Sequence, residues 1–355
     1  MEMLQRNIAP IARRLTLTRR ALLSRAVVAG AVIALAPALL AGQSPAQLSN
    51  QKVRNMENIT FKNGSITMAG NLHLPEGFKS SGKYAAIVVV HPGGGVKEQT
   101  SGLYAQRLAE QGFMALAFDA SHQGASGGEP RFLDDPMKRV GDIYSAVDYL
   151  TSLPYVDAGR IGALGICAGS GAAVKAASLE RRIKAVSTVS GVDVGAATRK
   201  GWEGKASIAD QIAMLESVAK ERSAEVGGAA PAYINYVPAV GDKSAPRDLQ
   251  EAADYYLTSR GQHPNAPNKM LLTSLSNMLA FTGFDRAYLL TQPLLIVAGS
   301  EAGSLWHSKE LYAKAAGPKE LVIIDGATHM DLYDGARVND VMAKLAPFFK
   351  RNLSR

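Results

Sequence analysis

The sequence predicts an α/β fold, in which a mostly parallel sheet is flanked by helices and interrupted by a helical cap insertion. Short continuous apolar runs alternate with amphipathic helical patterns along most of the 355 residues, as is typical of a parallel sheet wrapped by helices. A hairpin pattern precedes the first of these runs. The alternation breaks once, between about residues 195 and 291. With 47% apolar residues, the chain can form one large domain.

The first 46 residues differ from the rest and predict an export signal. Arg19-Arg20 precedes an apolar stretch over 26–41 that is rich in Ala and Gly, a pattern typical of twin-arginine signals, which pass folded proteins to the export machinery. This stretch is short for a membrane span. We therefore expect the signal to be removed, leaving no stable membrane partner, and the protein to be periplasmic or secreted. An uncleaved N-terminal anchor is the alternative.

The charge distribution argues against a nucleic-acid partner. The net charge is +8, but residues 1–46 contain six arginines and one glutamate, which leaves 33 basic and 30 acidic residues in the remainder. No Lys/Arg-rich run interleaved with aromatic residues follows residue 50, so the pattern of a nucleic-acid-binding surface is missing.

A polar linker over 47–57 leads into one predicted domain, 58–355, with a helical cap inserted at about 196–291. The hairpin is expected at 59–61 and 66–74 around Asn63-Gly64. Continuous apolar runs predict further strands at 84–90, 113–118, 161–165, 183–189, 294–298 and 321–324. Amphipathic patterns predict helices at 104–111, 136–153, 172–179, 308–316 and 338–349, and, within the cap, at 208–222 and 248–259.

Cys167 is the single cysteine and occupies a special position. The strand at 161–165 runs into Gly165-Ile166-Cys167-Ala168-Gly169, and a helix of small residues follows. This is the pattern of a nucleophile elbow with cysteine in place of serine, in which glycines permit the close approach of helix and backbone. A helix N-terminus and a nearby imidazole favour the thiolate. We expect Cys167 to be the nucleophile, whereas a buried inert thiol in a Gly-rich turn is the alternative.

Two further motifs complete a catalytic pattern. His91-Pro92-Gly93-Gly94-Gly95 follows the strand at 84–90, and its small residues leave backbone N–H groups free to bind an oxyanion together with the N–H of Ala168. Spacing does not choose between Gly93 and Gly94, and His91 is interpreted as a structural residue. His329 follows the last predicted strand and is the expected base.

With these motifs in place, residues 58–195 and 291–352 resemble the α/β-hydrolase superfamily. The cysteine elbow resembles the dienelactone hydrolase branch, and the capped form is similar to fungal polyketide transferases and related bacterial hydrolases. The resemblance implies acyl transfer from a small-molecule ester, lactone or thioester to water. It also implies a structural role for Asp119 and Ser121. An acyltransferase at the same site, or a non-catalytic binding protein on a hydrolase scaffold, are the alternatives.

The acid of the triad departs from the pattern of the family, because Ala302 stands at its usual place after the strand at 294–298. Asp193 and Glu301 are the two candidates, and Asp193 is favoured because it follows a strand at the carboxyl edge of the sheet. Neither metal-ligand spacing nor a dinucleotide fingerprint is evident, so we expect no metal and no cofactor.

Overall fold

The computed structural model describes residues 55–354. The predicted signal peptide and most of the predicted linker lie outside the described residues. Among residues 55–354, no helix combines the length and apolar character that a membrane crossing requires.

The core is an eight-stranded sheet in the order β1-β2-β4-β3-β5-β6-β9-β10. Its strands are Met56–Asn63 (β1), Ile66–His73 (β2), Tyr84–Val90 (β3), Met114–Phe118 (β4), Val156–Ile166 (β5), Ile183–Val189 (β6), Leu294–Gly299 (β9) and Lys319–Ile324 (β10). β1 and β2 form the antiparallel hairpin, β2 pairs antiparallel with β4, and all the other neighbours are parallel. This confirms the predicted mostly parallel sheet.

Helices cover both faces of this sheet. They are Thr100–Ala109 (α1), Pro136–Ser152 (α2), Ala168–Leu179 (α3), Leu305–Lys314 (α8) and Arg337–Asn352 (α9). α1 and α9 pack with Ile87 and Val89 on one face, while α2, α3 and α8 pack with Val88 and Val90 on the other. Side chains alternate between the two faces along a strand, and both are buried, which is why β3 reads as an unbroken apolar run.

The segment between β6 and β9, residues 190–293, is here called the insertion. It contains the helices Val194–Lys200 (α4), Ile208–Val226 (α5), Arg247–Leu257 (α6) and Ser274–Ala280 (α7), and the short antiparallel strands Tyr233–Ile234 (β7) and Met270–Leu271 (β8). The sequence patterns predict α5 and α6 but not the two-residue strands or the seven-residue helices, which are too short to produce a periodic pattern.

Candidate active site

Cys167 lies in the sharp turn between β5 and α3. Its backbone is strained, with φ 50° and ψ −123°, a conformation that residues other than glycine rarely adopt. A Cβ on Gly165 would lie 2.5 Å from the Ser170 Cα, and one on Gly169 would lie 2.4 Å from the Val90 carbonyl oxygen. Both flanking positions therefore require glycine, and the turn presents Cys167 at the carboxyl edge of the sheet.

Backbone N–H groups converge on the cysteine sulfur. The backbones of Gly93 and Ala168 both act on the Cys167 sulfur as hydrogen-bond partners that lower the pKa of its thiol. These are two of the three predicted oxyanion donors. The third, Gly94, lies under the ring of Tyr236, where an added Cβ would be 2.5 Å from the tyrosine Cδ2. Of the two glycines that spacing left open, the structure thus directs Gly93 at the sulfur.

Buried side chains hold the glycine loop in place. His91 Nε2 accepts a hydrogen bond from the Ala120 N–H at 3.0 Å, and its Nδ1 donates to the Pro92 carbonyl at 2.6 Å. The Arg139 guanidinium, which the sequence patterns do not single out, donates a hydrogen bond to the His91 carbonyl at 3.2 Å. His91 thus has the structural environment expected for it, with both ring nitrogens occupied by backbone.

The loop after β4 is likewise tied down by its predicted structural residues. The Asp119 carboxylate pairs with the Lys97 ammonium at 2.9 Å and accepts the Ala125 N–H at 2.8 Å. Ser121 bonds the buried carboxylate of Asp142 through both its N–H and its hydroxyl. Because all these partners are occupied, the loop provides a rigid support behind the glycine loop.

His329 follows β10 and is buried beside the cysteine turn. Its Nδ1 lies 2.6 Å from the Ser304 hydroxyl oxygen, and its Nε2 lies 3.3 Å from the Tyr333 hydroxyl oxygen. The indole of Trp202, from the insertion, packs edge-on against the imidazole with ring centroids 5.0 Å apart. The ring orientation is therefore fixed by two hydroxyl groups and one aromatic contact.

The two predicted acids, Asp193 and Glu301, both have other partners in the structure. Asp193 caps α4 and accepts four backbone N–H groups at 2.9–3.2 Å, from Gly195, Ala196, Gly283 and Phe284. A carboxylate that is saturated in this way stabilises the turn and helix start. Glu301 is exposed and lies 3.7 Å from the Arg247 guanidinium.

A carboxylate from the insertion faces the imidazole instead. Asp248, at the start of α6, is 3% exposed and accepts hydrogen bonds from the Gly303 N–H at 2.7 Å and the Trp202 indole N–H at 3.0 Å. Its negative charge acts on His329 and raises the imidazole pKa. Because Gly303 immediately precedes Ser304, Asp248 also anchors the turn that carries the hydroxyl partner of His329.

Burial shifts the pKa values of both Cys167 and His329. It raises the pKa of the Cys167 thiol above its usual value, although hydrogen bonds from Tyr333, Ala168 and Gly93 act in the opposite direction. Burial also lowers the pKa of His329 to about 4, with partial compensation by Asp248. Burial thus favours the thiol form of Cys167 and the neutral imidazole of His329. This effect opposes the stabilisation of the thiolate that is expected from the helix N-terminus.

A narrow cleft opens on the outer side of the glycine loop. It has a volume of about 230 Å³ including its open mouth, and Gly94, Gln123, Tyr236 and Lys269 are among its lining residues. Tyr236 forms the wall between this cleft and Gly93, and its hydroxyl is held by Asp134 at 2.8 Å and Gln123 at 3.2 Å. Among residues 55–354, no group of three or more His, Cys, Asp or Glu side chains is arranged to hold a metal ion.

His307 is a second buried histidine close to His329. It is fully buried, its ring stacks on Trp306 at 3.5 Å, and neither ring nitrogen has a hydrogen-bond partner in the part of the chain that the structure describes. Burial lowers its pKa to about 3. The unfolded chain, with a pKa near 6.5, binds a proton below that pH while the folded protein does not, so acid favours unfolding.

Replacing His307 with leucine should therefore flatten the pH dependence of stability. Between pH 6 and 4, the free energy of unfolding of the wild type should fall more steeply than that of His307→Leu, by up to about 1.4 kcal/mol per pH unit. Urea unfolding at several pH values measures this difference. His263→Leu, at a half-exposed position in the insertion, is the control. Equal slopes for the wild type and His307→Leu would contradict the prediction.

Comparison with known proteins shows similarity in both sequence and fold. A model of the dienelactone hydrolase family matches residues 68–214. The chain is 45% identical over 294 residues to the uncharacterized protein YcjY of Escherichia coli (strain K12), covering 82% of this chain and 96% of that protein. It is 26% identical over 308 residues to the polyketide transferase claH of Penicillium crustosum, covering 84% and 98%. The crystal structure of hypothetical protein PA2218 from Pseudomonas aeruginosa superposes with a TM-score of 0.79 at 34% identity, covering 87% of this chain and all of that one.

Proposed function

Because this chain belongs to the dienelactone hydrolase family of α/β-hydrolases, we propose that it hydrolyses an ester, lactone or thioester through an acyl-enzyme on Cys167. The observation that carries the proposal is the convergence of the Gly93 and Ala168 N–H groups on the cysteine sulfur. Two backbone donors at a nucleophile are the arrangement that stabilises the oxyanion of a tetrahedral intermediate. The hydrogen-bonded imidazole of His329 beside them supplies the base.

The proposed reaction begins with Cys167 as a thiol and His329 as a neutral imidazole. The Cys167 proton passes to His329 as the sulfur attacks the carbonyl carbon, so that an S–C bond forms and the carbonyl π electrons move onto oxygen. The N–H groups of Gly93 and Ala168 hold that oxyanion. As the C–O or C–S bond to the leaving group breaks, His329 returns the proton to the leaving group. It then takes a proton from water as the water oxygen attacks the thioester carbonyl carbon. As the C–S bond breaks and the carboxylic acid is released, His329 returns that proton to the Cys167 sulfur.

Asp248 and Ser304 have positioning roles in this mechanism. The Ser304 hydroxyl at Nδ1 fixes the ring so that Nε2 faces the cysteine side. The buried charge of Asp248 favours the imidazolium that forms during attack. A carboxylate that acts through space provides weaker stabilisation than one bonded directly to Nδ1, which is tolerable because a thiol requires less activation than a serine hydroxyl.

Mass spectrometry of the acyl-enzyme tests the proposed function. After brief mixing with p-nitrophenyl acetate or an acyl thioester at neutral pH, the intact protein should gain one acyl group, and peptide mapping should place it on Cys167. The modification should disappear as substrate is consumed, since water resolves the thioester. Sustained turnover with Cys167 never modified in quenched samples would refute the proposal.

An acyltransferase is the second candidate, and the similarity to the polyketide transferase claH supports it. The cover that Trp202 forms over the imidazole also restricts the approach of water from the insertion side. Product analysis in the presence of competing alcohols and amines separates the two functions. Predominant transfer to the added nucleophile at millimolar concentration would favour the transferase, whereas release of free acid would favour the hydrolase.

A further inference from the structure

Tyr333 lies between the two reacting groups of the site. The short turn Met330–Leu332 brings its ring back toward His329, with centroids 5.5 Å apart. Its hydroxyl oxygen is 3.3 Å from Nε2 and also within hydrogen-bonding reach of the Cys167 thiol. Nε2 is the nitrogen that must receive the proton of the nucleophile, and its hydrogen-bond partner is this phenol.

The position of this phenol is tightly fixed. Tyr333 is 1% exposed, and Tyr255 and Tyr256 of α6 contact its ring edge-on at 5.4 and 6.4 Å. Its own carbonyl accepts a hydrogen bond from the Thr100 hydroxyl at 2.9 Å. Because α1 holds its backbone and α6 holds its ring, Tyr333 cannot swing away without disturbing the core. The surrounding structure thus fixes the contact of the Tyr333 hydroxyl with His329 and Cys167.

We propose that Tyr333 is a catalytic residue that relays the proton from Cys167 to His329. This inference rests on the proposed role of Cys167 as nucleophile. The S–H bond breaks as its proton passes to the phenol oxygen, while the phenol O–H bond breaks and that proton passes to Nε2. The net products are a thiolate and an imidazolium, and the phenol is regenerated, so that charge and atoms balance without any further reactant.

The surroundings favour a concerted transfer. Burial raises the pKa of Tyr333 well above its usual value, so a free phenolate is not a feasible intermediate. Tyr256 and Arg139 are the other titratable or charged groups that act on the thiol, and Arg139 favours the thiolate. Asp248 favours the imidazolium. The thiolate and the imidazolium that the relay produces are therefore both stabilised by charges that are already present in the site.

The rate of Cys167 alkylation in Tyr333→Phe tests the relay without any substrate. With iodoacetamide, followed by intact mass from pH 6 to 10, the variant should react roughly 10-fold more slowly at pH 7.5, and the midpoint of its pH profile should move upward, because the thiolate loses a hydrogen bond to a charged group. Tyr104→Phe is the matched control. It loses a buried hydroxyl that donates to the Leu332 carbonyl at 2.7 Å in the same turn, and its profile should match the wild type.

Two further measurements, one on a second variant and one on ester turnover, also test the relay. If Tyr333→Phe fails to fold, replacement of Tyr333 by 3-fluorotyrosine retains the shape and lowers the phenol pKa, and the alkylation midpoint should then move downward. In ester turnover, the solvent-isotope proton inventory should indicate two protons in transfer for the wild type and one for Tyr333→Phe. Unchanged alkylation profiles in both variants would overturn the relay. A failure to acylate Cys167 would instead count against the proposed function.

Discussion

Replacing Cys167 with alanine should lower ester turnover by on the order of 10⁴-fold or more. The sulfur lies both at the Gly93 and Ala168 N–H groups and beside the bridge to His329, so its loss removes the nucleophile while leaving the oxyanion donors intact. Steady-state hydrolysis of p-nitrophenyl acetate, corrected for the uncatalysed reaction, measures the loss.

A stability control separates this loss of activity from misfolding. Alanine fits where cysteine does and keeps the Cys167 N–H bond to the Val189 carbonyl, so the urea midpoint should change little. Cys167→Ser should also be strongly impaired. A hydroxyl has a far higher pKa than a thiol, and the neutral imidazole of His329 has little assistance in removing its proton. Turnover by Cys167→Ala above a tenth of the wild-type rate would exclude the acyl-enzyme mechanism.

Substituting Asp248 with asparagine should lower kcat/KM by about 10²-fold, less than the loss of an acid in a serine triad. The asparagine oxygen can still accept the Gly303 and Trp202 N–H groups, so the substitution removes charge and little else. Without that charge the imidazolium is less stable, and the pKa of His329 should fall further below about 4.

The matched control for Asp248→Asn is Glu301→Gln, at an exposed carboxylate close to the position where the family pattern places its acid. It should retain nearly full activity. Esterase kinetics of both variants at pH 7.5, with urea unfolding alongside, provide the comparison. If Glu301→Gln were the impaired variant and Asp248→Asn the active one, the assignment of the acid would be reversed.

The strands and the cysteine turn could be predicted from sequence because their determinants are local. Buried parallel strands produce apolar runs, and the close approach of helix and strand at Gly165 and Gly169 requires glycine. The role of Asp193 also has a local signal, since Asp-Val-Gly-Ala at a helix start is a typical N-cap. This capping role is separate from the role of acid that the end of the strand predicts for Asp193.

The remaining features depend on long-range packing. Asp248 is 81 residues from His329 in the sequence, and no periodicity or turn motif indicates that α6 places it against the loop after β9. Similarly, the effect of burial on the pKa of the Cys167 thiol depends on how much protein surrounds the sulfur, which a sequence pattern does not contain. Tyr333 reads simply as an apolar residue four positions after a histidine.

The insertion provides Trp202, Asp248 and the tyrosines that hold Tyr333, so it is more than a cover over a complete catalytic core. Exchange of this segment between relatives would therefore change the chemistry together with the shape of the binding pocket. A chimera that gained a new substrate preference would also need to recover a charge facing the imidazole. In this family member, we therefore expect substitutions in the insertion to change selectivity and rate together.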